Sequence, residues 1–280
     1  IGEDRRKPGK SPPVSVRRAP VGGRFGPRGA PSPRGIVFVQ EVFHEAVACF
    51  QSGRLAEAEG LCRKVLAALP DQPDTLHLMG LIAHLDARDE EAEGLIAKAL
   101  AITGDQPEYM KNLGFILDRL GKAGEAEALL QRAARLAPGD PEIQNNLGIA
   151  LESLERLEEA EQAYGRAVEL APDHANAWAN LGTVRQKSGR LEAAGEAFRR
   201  AIALAPDFAE AHGNLGNILK ELGELDDAVA SYHRAIDFKP DYAEAFSNLG
   251  VALEEQKKLD ESVASLEKAI ALRPDYADAH

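Results

Sequence analysis

The sequence predicts an all-α protein built from a short helical repeat, and three observations lead to this prediction. The same residue types return every 34 residues from about residue 39 onward, and such a period indicates a stack of similar structural units. Each period contains two stretches with apolar residues at helical spacing and none with the alternation of a strand. Prolines or glycines separate one period from the next.

Seven repeats are predicted between residues 39 and 276. Their boundaries are 39–72, 73–106, 107–140, 141–174, 175–208, 209–242 and 243–276. Leu-Gly pairs mark the phase at residues 113–114, 147–148, 181–182, 215–216 and 249–250. Residues 277–280 are predicted to begin a truncated eighth repeat. That truncation predicts end-to-end self-association, because contact with a second copy would bury the apolar surface that the last repeat otherwise exposes to solvent.

Two helices are predicted in each repeat, as residues 209–242 illustrate. The first apolar stretch, 209–222, ends at Gly223, which suits the left-handed residue that follows many helices. The second stretch covers residues 225–238. Asp241 and Glu244 then resemble a capping box, in which the aspartate accepts from early helical N–H groups and the glutamate reaches back.

Glycines at one phase of the repeat predict close contact between the two helices. Each glycine costs a helix about 1 kcal/mol relative to alanine, so its recurrence indicates a site without room for a side chain. Alanines such as Ala194 are expected to serve the same contact from the second helix, with larger residues such as Phe198 in the next layer. The glycines are Gly80, Gly114, Gly148, Gly182, Gly216 and Gly250.

The residues at these fixed positions resemble the tetratricopeptide repeat (TPR). The pattern is Trp178…Leu181-Gly182…Ala194…Phe198…Ala201…Pro206. In-phase copies cover about 85% of the chain. The resemblance implies antiparallel helix pairs stacked into a right-handed superhelix, an α-solenoid whose first helices line the concave side. The first repeat departs from the pattern, with Glu45-Ala46 at the Leu-Gly position.

An asparagine precedes each Leu-Gly pair although asparagine is a mediocre helix former. On packed helices about 10 Å apart, these residues are predicted to form an asparagine ladder. Amides supply a donor and an acceptor, so the ladder is predicted to hold the backbone of an extended peptide. The alternatives are bonds to a neighbouring repeat's backbone, or inheritance from a duplicated repeat. The asparagines are Asn112, Asn146, Asn180, Asn214 and Asn248.

The rest of the predicted groove indicates the chemistry of the partner. Weaker candidate contacts beside the ladder are Lys111, Phe115, Gln186, Lys187 and Glu255. Carboxylates predicted to face the groove in the last repeats disfavour an anionic peptide. The expected partner is therefore an extended protein segment that is neutral or basic.

A second hypothesis is that the repeats recruit substrates for a larger enzyme. The array and its asparagines resemble the TPR superhelix of O-linked N-acetylglucosamine transferases, whose catalytic region has no counterpart here. The sequence itself predicts no enzyme, no cofactor and no metal site. His77 and His84 are about 10 Å apart along a helix, too far to share an ion, so ordinary polar contacts are expected for both.

The net charge of −12 combines two unlike parts. Residues 1–35 carry nine Lys/Arg and two Asp/Glu, a net charge of +7, so the rest carries −19. This Pro/Gly/Arg-rich tail is predicted to be disordered, and only the tail is expected to attract nucleic acid. No apolar run is long enough to span a membrane.

The two cysteines are too few for a disulfide scaffold. Cys49 and Cys62 are predicted to pack as small apolar groups, with a disulfide between them as the alternative. They indicate a reducing compartment, and hence the cytoplasm.

Overall fold

The computed structural model describes the backbone of residues 33–274 and the side chains of residues 38–274. Within that range the chain forms fourteen α-helices and no strand, which confirms the predicted all-α class. The helices are α1 (Pro33–Gln51), α2 (Leu55–Ala68), α3 (Pro73–Leu85), α4 (Asp89–Thr103), α5 (Pro107–Arg119), α6 (Ala123–Leu136), α7 (Pro141–Ser153), α8 (Leu157–Leu170), α9 (Ala175–Lys187), α10 (Leu191–Leu204), α11 (Ala209–Glu221), α12 (Leu225–Phe238), α13 (Ala243–Glu255) and α14 (Leu259–Leu272).

The chain divides between Ala150 and Leu151 into an N-terminal and a C-terminal compact unit. In the N-terminal unit, α1 packs against α2, α3 against α4, and α5 against α6. In the C-terminal unit the pairs are α9 with α10, α11 with α12, and α13 with α14. The first helices of successive repeats also touch, because α3 contacts α1 and α5, and α11 contacts α9 and α13. Odd-numbered helices are the first helices of the repeats and even-numbered helices are the second.

The recurring glycines lie against large side chains of the second helix, which confirms that close packing requires them. A Cβ atom added at Gly216 would lie 2.6 Å from the ring of Tyr232, and one at Gly182 would lie 2.9 Å from Phe198. Tyr232 and Phe198 are fully buried. The nearest side chain to five of these glycines is the large residue, and at Gly80 the carbonyl oxygen of Ala92 also lies 3.2 Å from the added Cβ atom, so the alanine position shares this contact as predicted.

Each first helix is followed by a tight turn. Its left-handed residue is Gly223 (φ +80°) after α11, as predicted, but it is Ala87 (φ 58°) after α3. The predicted capping box at Asp241 is wrong. Helix α13 begins at Ala243, its N-cap residue is Tyr242, and no side chain caps it. The aspartate lies one residue before the N-cap, because the aromatic side chain of Tyr242 is buried at that position.

Several predictions concern residues at the two ends of the chain. The tail predicted at residues 1–35 lies outside the described residues except for its last three, which belong to α1. Residues 277–280 also lie outside the described range, so the eighth repeat and the end-to-end association stay predictions. None of the helices in the described part has the length and apolar character needed to cross a bilayer.

The two cysteines are free thiols in the packed interior, and no disulfide joins them. Cys49 is 2% exposed and Cys62 is fully buried. Both pack with the apolar core of α1, α2 and α3, as predicted, and the thiol of Cys49 also donates to Glu57 at 3.7 Å.

Candidate functional site

The asparagine ladder is more buried in the N-terminal unit than in the C-terminal unit. Asn112 is 8% exposed and Asn146 is 3% exposed, whereas Asn180, Asn214 and Asn248 are half-buried. All five occupy the same position of their first helices. The side-chain amides most accessible to a partner are therefore those of the C-terminal unit.

In the N-terminal unit, Asn112 takes part in a polar network between α3 and α5. Its Nδ2 lies 2.9 Å from Nε2 of His77. The ring of Tyr109 stacks on His77 with centroids 4.3 Å apart, and the Tyr109 hydroxyl donates to Asp74 Oδ1 at 2.5 Å. Asn112 therefore joins two repeats. Its partner is the side chain of His77, whereas a bond to the backbone of a neighbouring repeat was the alternative predicted from sequence.

Burial strongly perturbs the titration of this network. Removal from water, with a further contribution from the charge of Lys111, lowers the pKa of His77 to about 3. Desolvation raises the pKa of Tyr109 above its ordinary value, and the nearby carboxylates of Asp74 and Glu108 raise it further. Each shift favours the neutral form, because a charge is costly in this interior. His77 and Tyr109 are consequently both neutral at physiological pH.

Lys111 and Phe115 were both predicted as groove contacts, and both are engaged within the N-terminal unit. The Lys111 side chain is 8% exposed, with its Nζ 3.2 Å from Glu108 and 3.3 Å from Asp140. The ring of Phe115 meets His84 edge to face at 5.5 Å. His84 in turn contacts Asp89 at 2.6 Å. His77 and His84 thus make the ordinary polar contacts expected for them.

In the C-terminal unit, Asn217 connects the first helices α11 and α13 to the second helix α12. Its Oδ1 accepts from Nδ2 of Asn248 at 2.9 Å and from the hydroxyl of Tyr232 at 2.8 Å. Asn248 uses its donor in this contact, and its side chain stays partly exposed. Two ladder positions, Asn112 and Asn248, therefore contact the preceding repeat.

A cluster of carboxylates surrounds this part of the C-terminal unit. Burial raises the pKa of the Tyr232 phenol, and the negative charges of Glu221, Glu255 and Glu244 raise it further. Glu255 is exposed. The residues that flank Asn217 therefore present a negative surface.

Gln186 and Lys187, two further predicted contacts, each interact with a carboxylate of a neighbouring repeat. Gln186 Nε2 donates to Glu221 at 3.1 Å, and Lys187 Nζ lies 2.7 Å from Glu152. The ammonium group of Lys187 is thus paired with a carboxylate of the preceding repeat.

The central position of Asn217 was not predicted from the sequence. The signal was present, because Asn217 follows the ladder residue Asn214 by three positions and so shares its helix face. The link between His77 and Asn112 was also missed, since it joins residues 35 apart that only the stacking of repeats brings together.

Comparison with known families and structures agrees with this repeat architecture. Models described as tetratricopeptide repeat match residues 108–140, 139–207, 197–230 and 243–276, and one described as TPR repeat matches residues 216–257. Together they extend from residue 108 to residue 276. No curated protein matches the chain significantly.

Several solved structures have similar folds. MamA is 27% identical over 59% of this chain and 96% of its own, with a TM-score of 0.55. The TPR protein YrrB, reported to have an unusual peptide-binding site, is 24% identical over 66% of this chain and 95% of its own, with a TM-score of 0.55. The Cut9–Hcn1 complex of APC/C gives a TM-score of 0.73 at 16% identity, over 84% of this chain and 46% of that one. With its helix pairs, its packing glycines and these matches, the chain belongs to the tetratricopeptide repeat family.

Proposed function

We propose that this protein–protein interaction scaffold binds an extended peptide segment across the first helices of its repeats. The observation that carries the proposal is the recurrence of an asparagine at one position of successive first helices, with Asn180, Asn214 and Asn248 still partly exposed. Side-chain amides suit a peptide backbone, which offers one donor and one acceptor per residue. Repeat arrays commonly present such extended binding surfaces.

The structural relatives support the proposal at the level of the fold. YrrB is described as a TPR protein with a peptide-binding site, and at 24% identity the likeness concerns architecture alone. The peptide function is therefore carried to this chain as a proposal, and the residues that would perform it come from its own first helices.

The exposure of the asparagines assigns different tasks to the two compact units. Asn112 and Asn146 are buried, so we assign them mainly to the contact between repeats. Asn180 and Asn214 are accessible and are proposed to contact the peptide. Asn248 donates to Asn217, and its own carbonyl oxygen is proposed to accept from a peptide N–H group.

The charge of the C-terminal unit favours a basic or neutral segment. Glu221, Glu244 and Glu255 lie close enough to affect the Tyr232 hydroxyl, and Glu254 is exposed beside them. Lysine or arginine side chains of a bound segment would be attracted to this surface, and binding would weaken as salt screens the charges.

The test is a fluorescence-anisotropy titration with three labelled twelve-residue probes, of alternating Ser-Lys, Ser-Gly and Ser-Glu sequence. We expect affinity to fall in that order. The double variant Asn180→Ala/Asn214→Ala should weaken Ser-Lys binding at least about fivefold, from two lost hydrogen bonds at about 0.5–1.5 kcal/mol each.

The matched control removes two exposed amides outside the ladder, in the variant Gln51→Ala/Gln162→Ala. It should bind like the wild type, and circular dichroism should show both variants folded. Equal affinity of the ladder variant and the control for the Ser-Lys probe would contradict the proposed role of the asparagines. Preference for Ser-Glu would contradict the proposed partner charge.

A further inference from the structure

A second candidate surface lies on the second helices of the C-terminal unit. A groove of about 490 Å³ opens between α10 and α12, with α11 as its floor. Leu215 and Leu219 of α11 and Ile202 of α10 supply apolar lining, and Arg199 and Arg234 lie on the two walls. None of these residues belongs to the asparagine ladder, so the groove is distinct from the peptide surface proposed above.

The residue at the fourth position of the first helix differs among the repeats of the C-terminal unit. That residue is Trp178 in α9, His212 in α11 and Phe246 in α13. His212 lines the groove and contacts the carbonyl of Pro206 at 3.0 Å, as the Trp178 indole contacts that of Pro172 at 3.0 Å. The His212 ring also stacks on Phe238 of α12, with ring centroids 5.6 Å apart, so this histidine joins the floor of the groove to one of its walls.

The two arginines of the walls are available for a partner. Both are exposed, and among the described residues neither forms an ion pair or a hydrogen bond. Some other cations of the C-terminal unit are engaged, since Arg185 contacts Glu161 at 3.0 Å and Arg200 lies 5.9 Å above the ring of Trp178. Arg199 and Arg234 differ from the remaining exposed cations in that they line the groove.

One carboxylate also lines the groove, and it is remote from the arginine on its own helix. Asp227 lies near the start of α12 and precedes Arg234 by seven residues, which is about 10 Å along a helix. At that distance its charge is largely screened by water and salt. Glu196 and Asp237, each three residues from one of the arginines, are exposed but do not line the groove. The lining therefore holds two arginines and one aspartate, in a chain whose residues after 35 carry a net charge of −19.

We propose that this groove binds an acidic, leucine-rich segment of a partner protein. Apolar side chains of the segment would pack against the half-buried Ile202 and against the small exposed edges of Leu215 and Leu219, which are 8% and 3% exposed. Its carboxylates would pair with Arg199 and Arg234, whose planar guanidinium groups match the geometry of a carboxylate. The protein would then hold two partners of opposite charge on different surfaces, a basic segment on the first helices and an acidic one on the second helices.

The probes are synthetic twelve-residue peptides titrated into the ¹⁵N-labelled protein. One contains leucines three and four residues apart among glutamates, the second replaces the glutamates by lysines, and the third replaces the leucines by serines. We expect the Leu/Glu peptide to shift amide resonances of α10, α11 and α12, with an affinity at least tenfold above that of the other two.

The variant Arg199→Ser/Arg234→Ser should weaken binding of the Leu/Glu peptide about three- to tenfold, as expected for two partly exposed ion pairs. The variant Arg166→Ser/Lys268→Ser removes the same charge from exposed positions of α8 and α14 and should bind like the wild type. Ala230→Tyr keeps both arginines and places a bulky ring at an exposed position of the lining, so it should also abolish the resonance shifts.

An equal loss in the charge control would show general electrostatic attraction and overturn the proposal. So would equal binding of the Lys-containing peptide, or the absence of shifts in α11 with all three probes. Binding of the Ser-Lys probe to the first helices should be unaffected by Arg199→Ser/Arg234→Ser, so the failure of one surface is distinguishable from the failure of the other.

Discussion

Adding one methyl group at Gly216 and adding one at Gly165 should change the stability of the protein in opposite directions. At Gly216 the new Cβ atom would lie 2.6, 2.8 and 3.0 Å from three ring atoms of Tyr232. That ring is fully buried, and its hydroxyl is bonded to Asn217 at 2.8 Å, so it has little freedom to move. At Gly165 on α8, nothing lies within 4 Å of the new atom.

The expected magnitudes follow from two opposing effects. Alanine is better than glycine in a helix by about 1 kcal/mol, and this gain applies at both positions. Carbon atoms in contact lie about 3.5–4.0 Å apart, so Gly216→Ala must displace the ring or its helix by about 1 Å. Such overpacking costs up to about 3 kcal/mol. We therefore expect Gly216→Ala to destabilise by about 2 kcal/mol and Gly165→Ala to stabilise by about 1 kcal/mol.

The assay is urea unfolding followed by helical circular dichroism, with both variants and the wild type measured together. Gly182→Ala is an intermediate case, since its Cβ would lie 2.9 Å from Phe198, a ring without a hydroxyl to anchor it. The expected order of stability is Gly165→Ala, wild type, Gly182→Ala, Gly216→Ala. If Gly216→Ala is as stable as Gly165→Ala, the packing explanation of the recurring glycines is wrong.

Two further predictions concern the N-terminal unit. Ala87→Gly should stabilise the protein by about 1 kcal/mol in the same urea assay. Ala87 adopts the left-handed conformation at φ 58°, which costs alanine about that much and glycine almost nothing. A lower unfolding midpoint for the variant would contradict this. The pKa of His77 is about 3 in the folded protein and 6.5 ordinarily. As the pH falls, the unfolded chain is therefore protonated at His77 before the folded protein is. The contribution of the neutral imidazole to the free energy of unfolding is fully present above pH 6.5 and is lost as the pH drops toward 3. Between pH 7 and pH 5 the wild type should lose about 2 kcal/mol more than His77→Gln, and equal losses would refute a neutral buried imidazole.

The helices could be predicted from local sequence, whereas some of their ends could not. The stretch predicted at residues 225–238 coincides with α12, since apolar spacing determines which face a helix buries. The capping box at Asp241 failed because capping depends on which residue occupies the N-cap in three dimensions. Tyr242 is the N-cap residue and its ring packs in the core. This arrangement cannot be predicted from the local sequence motif alone.

The candidate site shows the same division between local pattern and tertiary contact. The period of 34 residues by itself determined the repeat fold, the packing glycines and the common position of Asn112 and Asn248, because identical spacing places residues identically in each repeat. Only the tertiary structure showed that these asparagines contact His77 and Asn217. Side-chain partners 35 and 31 residues away depend on how neighbouring helices stack. The groove beside Arg199 was equally hidden, since it is lined by residues of three different helices, α10, α11 and α12.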